Sequence, residues 1–385
     1  MIVREAGSHA GGILGLFPEL SGIGGMQEAG RLVAAALQEI AEEHNLFVEL
    51  FSLNDTAGSH SMRIAGRTVP FRGFERAKSR FVLANMSRTL KFGKNHARIV
   101  LAAHPNLAVP AAYSRLGRPG LKTIVMTHGI EVWSALPLYR RRALRRATCV
   151  LAPSRFTVEK LIVVQGVSAH KIRRVPWPLN PDLLRMAAAP AGLPLPPEYP
   201  KGRQVILTVG RWSASERYKG VEELLYAVAR LRSEYSGLHL VAIGSGDDLP
   251  RLRQLSAELG ITDSVLFLES LTREQVASCY AHADIFALPS TGEGFGLVFL
   301  EAMAFAKPIV GVAVGGTLDI IEDGRNGFLV RPDDAGSLAG ALGRLLRDEK
   351  LSAELGRHGM EIAQHKYRFE TFRKELECVL ADCDP

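Results

Sequence analysis

The 385-residue chain lacks the features that would place it in several large functional classes. No apolar run approaches the ~20 residues that a bilayer-spanning helix requires. The first twenty residues, "MIVREAGSHAGGILGLFPEL", do not show the layout of charge, apolar run and cleavage site that marks a signal peptide, and "ILGLFPEL" reads as a buried first strand. Cysteine is scarce, and Cys149, Cys279, Cys378 and Cys383 form no C-x-x-C pair, so reduced core thiols are expected. Together these absences point to a cytoplasmic protein. There is no H-E-x-x-H, no cluster of histidines and no EF-hand loop, so no bound metal is expected. No G-x-x-x-x-G-K-[ST] occurs, which removes the P-loop. No RNP motif, zinc finger or helix-turn-helix is present, so nucleic acid is not an expected partner.

What is there is an ordinary globular composition, 47% hydrophobic and 23% charged, with a net charge of +7. The densest basic run is "YRRRALRRA", Tyr139 to Ala147. As a helix it spreads Arg140, Arg141, Arg142, Arg145 and Arg146 around most of its circumference and leaves Ala143 and Leu144 on the apolar side. Such a helix is either a solvated connection or a patch that meets an anionic membrane surface, which would put the protein peripherally on the inner face of the cell membrane.

Short apolar runs alternate with amphipathic segments along almost the whole chain. The expected strands are "GILGLFPE", "FVELFSL", "RIVLAAH", "KTIVMTHG" and "CVLAPS", then "QVILTVG", "LHLVAIG", "SVLFLE", "DIFALPS" and "PIVGVAV". Continuous apolar runs of this kind suit parallel sheets covered on both faces. "GMQEAGRLVAAALQEIAEEH" and "GVEELLYAVARLRSEY" carry apolar residues at three- and four-residue spacing and read as the intervening helices. Between the two blocks, Val175 to Arg203 holds prolines at 176, 178, 181, 190, 194, 196, 197 and 200, eight of the twenty in the chain. Proline at that density predicts a linker of extended pieces. The expectation is an α/β protein with two Rossmann-like parallel-sheet domains facing across a cleft, at 1–180 and 204–365. Residues 181–203 would be the linker, and 366–385 a C-terminal helix returning to the first domain. Ligands would bind at the carboxyl ends of the strands.

Several strand ends carry chemistry. In "PSTGEGFGLVFLEAMAFAKPIV" a strand ends at Pro289, a glycine-rich turn follows, and a helix starts near Leu297. The free N–H groups at that helix start can hold an anion, and Gly294 and Gly296 admit a ligand close to the backbone. Glu293 precedes the helix. Glu301 lies about a turn inside it and, within apolar surroundings, needs a partner. Either carboxylate can accept hydrogen bonds from vicinal hydroxyls. "TVGRWSASERYKG" sets Arg211 and Lys219 after another strand, two cations suited to a diphosphate, with Arg217 as a competing choice. "PELSGIGGMQEAGRL" places Gly22, Gly24 and Gly25 before a helix without the G-x-G-x-x-G spacing. "GSGDDLPRL", Gly244 to Leu252, is a similar glycine turn. "VMTHGIEVW" ends a strand at His128, "LAAHPN" another at His104, and each histidine is either a ligand to substrate or structural. "VGGTLDIIEDGRNGFLV" adds Gly315 and Gly316, with Asp319 and Glu322 beyond them.

Taken together, "SGIGG", "THG", "APSRF", "VGRW…KG", "EGFGLVFLE", "EAMA…KPIV" and "GG…DIIEDGRNGFLV" resemble, in order, the motifs of the GT-B fold retaining glycosyltransferases of family GT4 (glycosyl transferases group 1). The resemblance covers most of the chain and is densest from Val205 to Pro332. It implies a metal-independent, retaining hexosyltransferase with no cofactor beyond a nucleotide-sugar co-substrate, and a glycan, lipid-linked or small-molecule acceptor. It implies that Arg211 and Lys219 hold the diphosphate and that Glu301 binds the ribose. Glu293, with the backbone at Phe295, Gly296 and Leu297, would hold the sugar and phosphates. His128 would serve the reacting centre, and Gly24 and Gly25 would approach the phosphates. A UDP-sugar is the first expectation on family grounds and GDP-mannose the second. The chain departs from the family pattern at Glu269, Ala306 and Asp319, and "WPLN" stands where "NG-V-D" is usual. The Asp-x-Asp at Asp382–Asp384 resembles that of metal-dependent transferases, but its place at the chain end marks it as a decoy.

Three other readings fit parts of the pattern. Glu293 and Glu301 would be an acid/base pair in a glycoside hydrolase, an epimerase would interconvert nucleotide sugars without an acceptor, and a non-catalytic module would bind the nucleotide sugar without turnover. The loop Asn54 to Arg80, with its basic residues, is either a site for a phosphorylated or lipid-linked acceptor or a solvated loop.

Overall fold

The computed structural model describes residues 11–90, 97–116, 118, 120–202, 204–332 and 334–383. Residues 1–10, where a leader would begin, and Asp384 of the Asp-x-Asp run lie outside them. The chain divides into two units, Met1–Asn180 with Phe369–Pro385, and Pro181–Arg368.

The first unit is built on an eight-stranded sheet. Its strands are β1 (Gly12–Phe17), β2 (Val48–Ser52), β3 (Gly58–Ile64), β4 (Arg67–Gly73), β5 (Ala97–Ala102), β6 (Lys122–Met126), β7 (Cys149–Ala152) and β8 (Ile172–Arg174). They lie in the order β3-β4-β2-β1-β5-β6-β7-β8. All neighbours are parallel except β3 and β4. β1 is buried along its whole length, as its unbroken apolar run predicts. It pairs with β2 on one side and β5 on the other, Leu16 standing opposite both Phe51 and Ala102. The Gly25–His44 helix that follows β1 buries Ala29, Leu32, Val33, Ala36, Leu37 and Ile40 and ends on Asn45 in the left-handed conformation.

The basic segment Asn54 to Arg80, read from sequence as a loop, is mostly a β3–β4 hairpin. Its two-residue turn is Ala65–Gly66, both with positive φ (51° and 75°). That geometry belongs to a tight hairpin turn, but an alanine in it hides the usual Asn-Gly signal.

The second unit carries a six-stranded parallel sheet. Its strands are β9 (Gln204–Val209), β10 (Leu238–Ile243), β11 (Val265–Leu268), β12 (Ile285–Leu288), β13 (Ile309–Val312) and β14 (Gly327–Val330). The order β11-β10-β9-β12-β13-β14 reverses direction between β9 and β12. Ile206 of β9 stands opposite Leu240 of β10 and Ile285 of β12. The Val221–Leu231 helix buries Val221, Leu224, Leu225, Val228 and Leu231 against this sheet, an i, i+3, i+4, i+7 stripe. Its first turn carries Glu222 and Glu223, where the helix dipole favours negative charge. In each sheet the strand order turns over beside its first strand, which opens a crevice at the carboxyl ends there.

The proline-rich stretch departs from the extended linker that its composition predicts. Pro181–Ala188 is an α-helix and belongs to the second unit, where it packs on the Arg273–His282 and Leu297–Ala304 helices. Pro181 occupies the first helical position, where its missing N–H is no loss, and the next proline falls after the helix has ended. The C-terminal Phe369–Cys383 helix belongs to the first unit and packs on the Gly25–His44 helix. Arg373 meets Glu43 at 2.6 Å there, and His44 Nε2 lies 2.6 Å from Glu377. Of the cysteines, Cys149, Cys279 and Cys383 are buried free thiols, whereas Cys378 is exposed. Among the described residues, no helix is long and apolar enough to cross a membrane.

Candidate functional site

In the second unit the candidate residues gather where the strand order reverses. β12 ends at Leu288, and the following turn leads through Glu293 and Gly294 to Gly296, whose φ of +99° precedes the Leu297–Ala304 helix. A Cβ on Gly296 would lie 2.7 Å from the Phe299 ring, so both conformation and space call for glycine. The turn is locked to its neighbours. Gly316 N–H donates to the Glu293 carbonyl (2.8 Å), Thr291 N–H donates to the Tyr218 carbonyl (2.8 Å), and a Cβ on Gly316 would meet the Gly294 carbonyl at 2.3 Å. Gly316, which the sequence showed only as one of a glycine pair after a strand, thus belongs to the scaffold of Glu293.

The charges are arranged in pairs. Lys219 Nζ lies 4.0 Å from Glu293 Oε2, and both side chains are about one-fifth exposed (19% and 18%). Burial raises the Glu293 carboxyl above its ordinary range, Lys219 opposes that shift, and Glu216 adds to it. Arg211 is held by Glu216, and this hydrogen bond raises the guanidinium further. Arg217, the competing cation, is directed elsewhere. It meets Asp248 at 3.1 Å, where Arg251 also binds at 2.7 Å and in turn reaches Glu222 at 2.6 Å. The Gly244–Leu252 glycine turn is part of the same packing, since a Cβ on Gly244 would lie 1.8 Å from the Gly210 carbonyl.

Glu301 receives the partner that its surroundings require. The Tyr280 hydroxyl donates to Glu301 Oε2 at 2.8 Å from the Arg273–His282 helix. Tyr280 is wholly buried, stacked on Phe305 at 5.8 Å, and burial pushes its phenol well above the usual value, with Glu301 adding to the shift. No sequence pattern marks Tyr280. The two carboxylates therefore answer to different partners, Glu293 to an ammonium and Glu301 to a phenol. Of the family departures, Glu269 meets Arg253 at 3.4 Å, and both are about half exposed (45% and 52%).

The first unit holds the remaining candidates. Beyond β1, the glycine turn is anchored by the buried Asp55, which accepts from Leu20 N–H (2.8 Å), Ser21 N–H (3.2 Å) and the hydroxyls of Ser21 and Ser52. Burial pushes the Asp55 carboxyl up, but these hydrogen bonds outweigh it and leave the group below its ordinary range. Arg31 ties the same turn from its other side through the carbonyls of Leu20 (2.9 Å) and Gly22 (2.7 Å). Gly24 has a φ of +145°, and a Cβ on Gly25 would meet nothing within 4 Å, so the helix start is open.

His128 follows β6. Its N–H donates to Glu131 (2.5 Å), and its Nε2 lies 2.8 Å from the Ala103 carbonyl, a contact that requires the proton on Nε2. The rings of His104 (5.9 Å) and Trp177 (5.5 Å) pack against it. His104 serves the fold: its Nδ1 accepts from Asn106 N–H (3.0 Å) and caps the short Pro105–Leu107 turn. Burial, then repulsion from His128 and Arg140, pushes it down to about 3, so it is neutral. The basic run is the Leu138–Arg146 helix, which buries Ala143 and Leu144 and exposes Leu138 (76%) and Tyr139 (57%). Among the described residues, no carboxylate pairs with Arg140, Arg141, Arg142, Arg145 or Arg146. Among the described residues, the metal-capable trio is Glu43, His44 and Glu377 at the Gly25–His44 helix end, where Arg373 already meets both glutamates.

Comparison with known proteins agrees with this architecture. The glycosyl transferases group 1 profile matches residues 196–361, and the glycosyltransferase family 4 profile matches residues 24–183. A GDP-mannose-dependent alpha-(1-6)-phosphatidylinositol monomannoside mannosyltransferase of Mycolicibacterium smegmatis is 32% identical over 279 residues, 69% of this chain and 71% of that protein. A D-inositol 3-phosphate glycosyltransferase of Corynebacterium jeikeium is 37% identical over 189 residues, 47% of this chain, and the chain spans only 44% of that relative. Among solved structures, Thermosynechococcus elongatus sucrose-phosphate synthase matches with a TM-score of 0.75 at 22% identity, over 96% of this chain and 98% of that one. Anabaena HepE in complex with UDP matches with a TM-score of 0.70 at 19% identity, over 96% and 100%. At such identities the likeness concerns the fold alone. Two parallel-sheet units of this topology, each matched by its family profile, and a relative aligned over most of its length place the chain among the GT-B glycosyltransferases of family 4.

Proposed function

We propose that this glycosyltransferase transfers a hexose from a nucleoside-diphosphate sugar with retention at the anomeric carbon and without a metal ion. The observation that carries the reading is the Lys219–Glu293 pair at the reversal of the second sheet, beside the helix start at Leu297. Lys219 and Arg211 would neutralise the departing diphosphate, with the free N–H groups of Leu297 and its neighbours accepting the remaining charge. Glu293 would hold the sugar hydroxyls and Glu301 the ribose. In the first unit, His128 and the turn at Gly24–Gly25 are the candidates for a role in transfer, and this unit would bind the acceptor. The acceptor hydroxyl would attack on the leaving-group face and pass its proton to the diphosphate.

The relative at 32% identity uses GDP-mannose, which moves that donor ahead of the UDP-sugar expected from the family pattern. The names of both reported relatives contain inositol, which favours a polyol acceptor bearing a phosphate or a lipid. The arginine-rich Leu138–Arg146 helix, with Leu138 and Tyr139 exposed, supports contact with an anionic membrane surface, where a lipid-linked acceptor would lie. A thermal-shift panel of GDP-mannose, GDP, UDP-glucose and UDP tests the donor, because a bound ligand raises the melting temperature by mass action. Stabilisation by UDP-glucose alone would reverse the donor order, and stabilisation by none would sink the reading. Activity that survives a chelator and an α-linked product from an α-linked donor would support the metal-independent, retaining chemistry.

A further inference from the structure

Trp177 stands in "WPLN", the segment where this chain departs from its family's usual sequence. Its indole is 2% exposed, and among the described residues its Nε1–H is a buried donor without an acceptor. An unpaired buried donor is costly, so the indole is kept here at some loss of stability. The indole packs against the His128 imidazole (5.5 Å between centroids, 40° between planes) and against Phe372 (6.1 Å, 70°). Trp177 lies three residues before Asn180, where the chain leaves the first unit, and Phe372 lies three residues after Phe369, where it returns. His128 therefore has its Nε2 fixed by the Ala103 carbonyl and its ring packed by His104 and Trp177, while Trp177 is braced by the returning C-terminal helix.

We infer that Trp177 is a positioning residue for His128 and that Phe372 holds it in place. Trp177 acts through the imidazole it packs against. It keeps the imidazole from rotating about its χ angles and so preserves the Nε2–H tautomer, which leaves Nδ1 as the ring's acceptor. A large, stiff ring suits this because it restricts the imidazole without competing for its hydrogen bonds. This rests on the proposed role of His128 in transfer.

The test compares Trp177→Ala, Trp177→Phe and Phe372→Leu in the full chain, each checked for folding by circular dichroism. Two readouts are used: steady-state turnover of GDP-mannose and UDP-glucose, and long-range ¹H–¹⁵N spectra of the histidine rings with His128 assigned by His128→Asn. Trp177→Ala is expected to lower kcat about ten- to a hundredfold, the scale of a misplaced group, with donor KM and nucleotide affinity little changed, and to turn the single His128 tautomer into a mixture. Trp177→Phe should restore most of the rate and the single tautomer, and Phe372→Leu should fall between. Wild-type kcat or an unaltered His128 signal in Trp177→Ala would overturn the inference. Trp177→Phe as impaired as the alanine variant would also overturn it, because the indole N–H would then be binding a ligand directly. If Trp177→Ala does not fold, unaltered His128 signals in Phe372→Leu would overturn the inference in its place. Should the wild type turn over neither donor, the functional reading falls while the imidazole spectra still decide the positioning role.

Discussion

Lys219 Nζ lies 4.0 Å from Glu293 Oε2, and the two residues arrive from loops that follow different strands, β9 and β12. Seventy-four positions separate them in the chain, and neighbouring strands in the parallel sheet bring them together. The ammonium and the largely buried carboxylate balance each other's charge. In the proposed reaction the lysine would turn to the diphosphate and the carboxylate would serve a sugar hydroxyl. Lys219→Met should therefore weaken nucleoside-diphosphate binding about thirtyfold, ~2 kcal/mol for removing one partner of a buried charged contact. Calorimetry with GDP and UDP measures it, and unchanged affinity would transfer the role to Arg217.

Glu293→Gln should lower transfer at least about a hundredfold, as loss of a positioned polar group in a catalytic centre does. It should also make the empty protein more stable at neutral pH. Burial raises the folded pKa of Glu293 above the unfolded one, so the folded state holds this proton more tightly. Stability accordingly falls as pH rises from the unfolded value, ~4.3, through the folded value, and remains lower above it. Glutamine has no such slope. Its melting temperature should exceed that of the wild type at pH 7, with the gap closing in acid. Near-normal turnover in this variant would be fatal to the proposed site.

Tyr280→Phe removes the hydroxyl that donates to Glu301 at 2.8 Å. Urea unfolding should show a loss of about 1–2 kcal/mol. Nucleotide affinity should fall as well, because Glu301 loses a group that aims it. A variant with unchanged nucleotide binding would show that Tyr280 does not support the nucleotide through Glu301.

Asp55→Asn tests the glycine turn of the first unit. The carboxylate accepts from two backbone N–H groups and two hydroxyls, and an amide oxygen cannot replace all four. A loss of about 2 kcal/mol is expected. The folded pKa is lowered, so this contribution is present above the unfolded value, ~3.9, and is lost as pH falls through the folded value. The variant should therefore lose less stability than the wild type on acidification, which chemical denaturation at pH 7 and at pH 3 can read.

Vesicle flotation tests the basic helix. Wild-type protein should float with vesicles rich in anionic phospholipid, and release should follow a rise in salt, since exposed charges are screened within about 8 Å at physiological ionic strength. Replacing Arg141, Arg142 and Arg146 with glutamate should abolish flotation while thermal stabilisation by nucleotide persists. Equal flotation of wild type and variant would remove the membrane contact from the proposal.

The alternation of apolar runs and amphipathic segments was sufficient to determine two parallel-sheet units, because each doubly covered strand must be continuously apolar and each crossover helix half so. All ten runs named from sequence are strands. The remaining strands escaped for local reasons: β8 is three residues long and partly charged, β14 follows a turn signal that dominates its surroundings, and Ala65 disguises the β3–β4 turn. Proline count alone misjudged Pro181–Ala188, since one proline at a helix start does no harm. Residues before and inside the Leu297 helix were legible as a candidate ligand site because glycine, carboxylate and helix start are adjacent in sequence. What only the tertiary structure decided is the pairing of side chains: Lys219 with Glu293 and Arg217 with Asp248, Tyr280 beneath Glu301, Asp55 under the glycine turn, and Trp177 with Phe372 against His128. Local sequence specifies which element a residue joins through short-range sterics and burial. Which charge or ring it meets depends on strand order and register, and these emerge only when distant segments share one core.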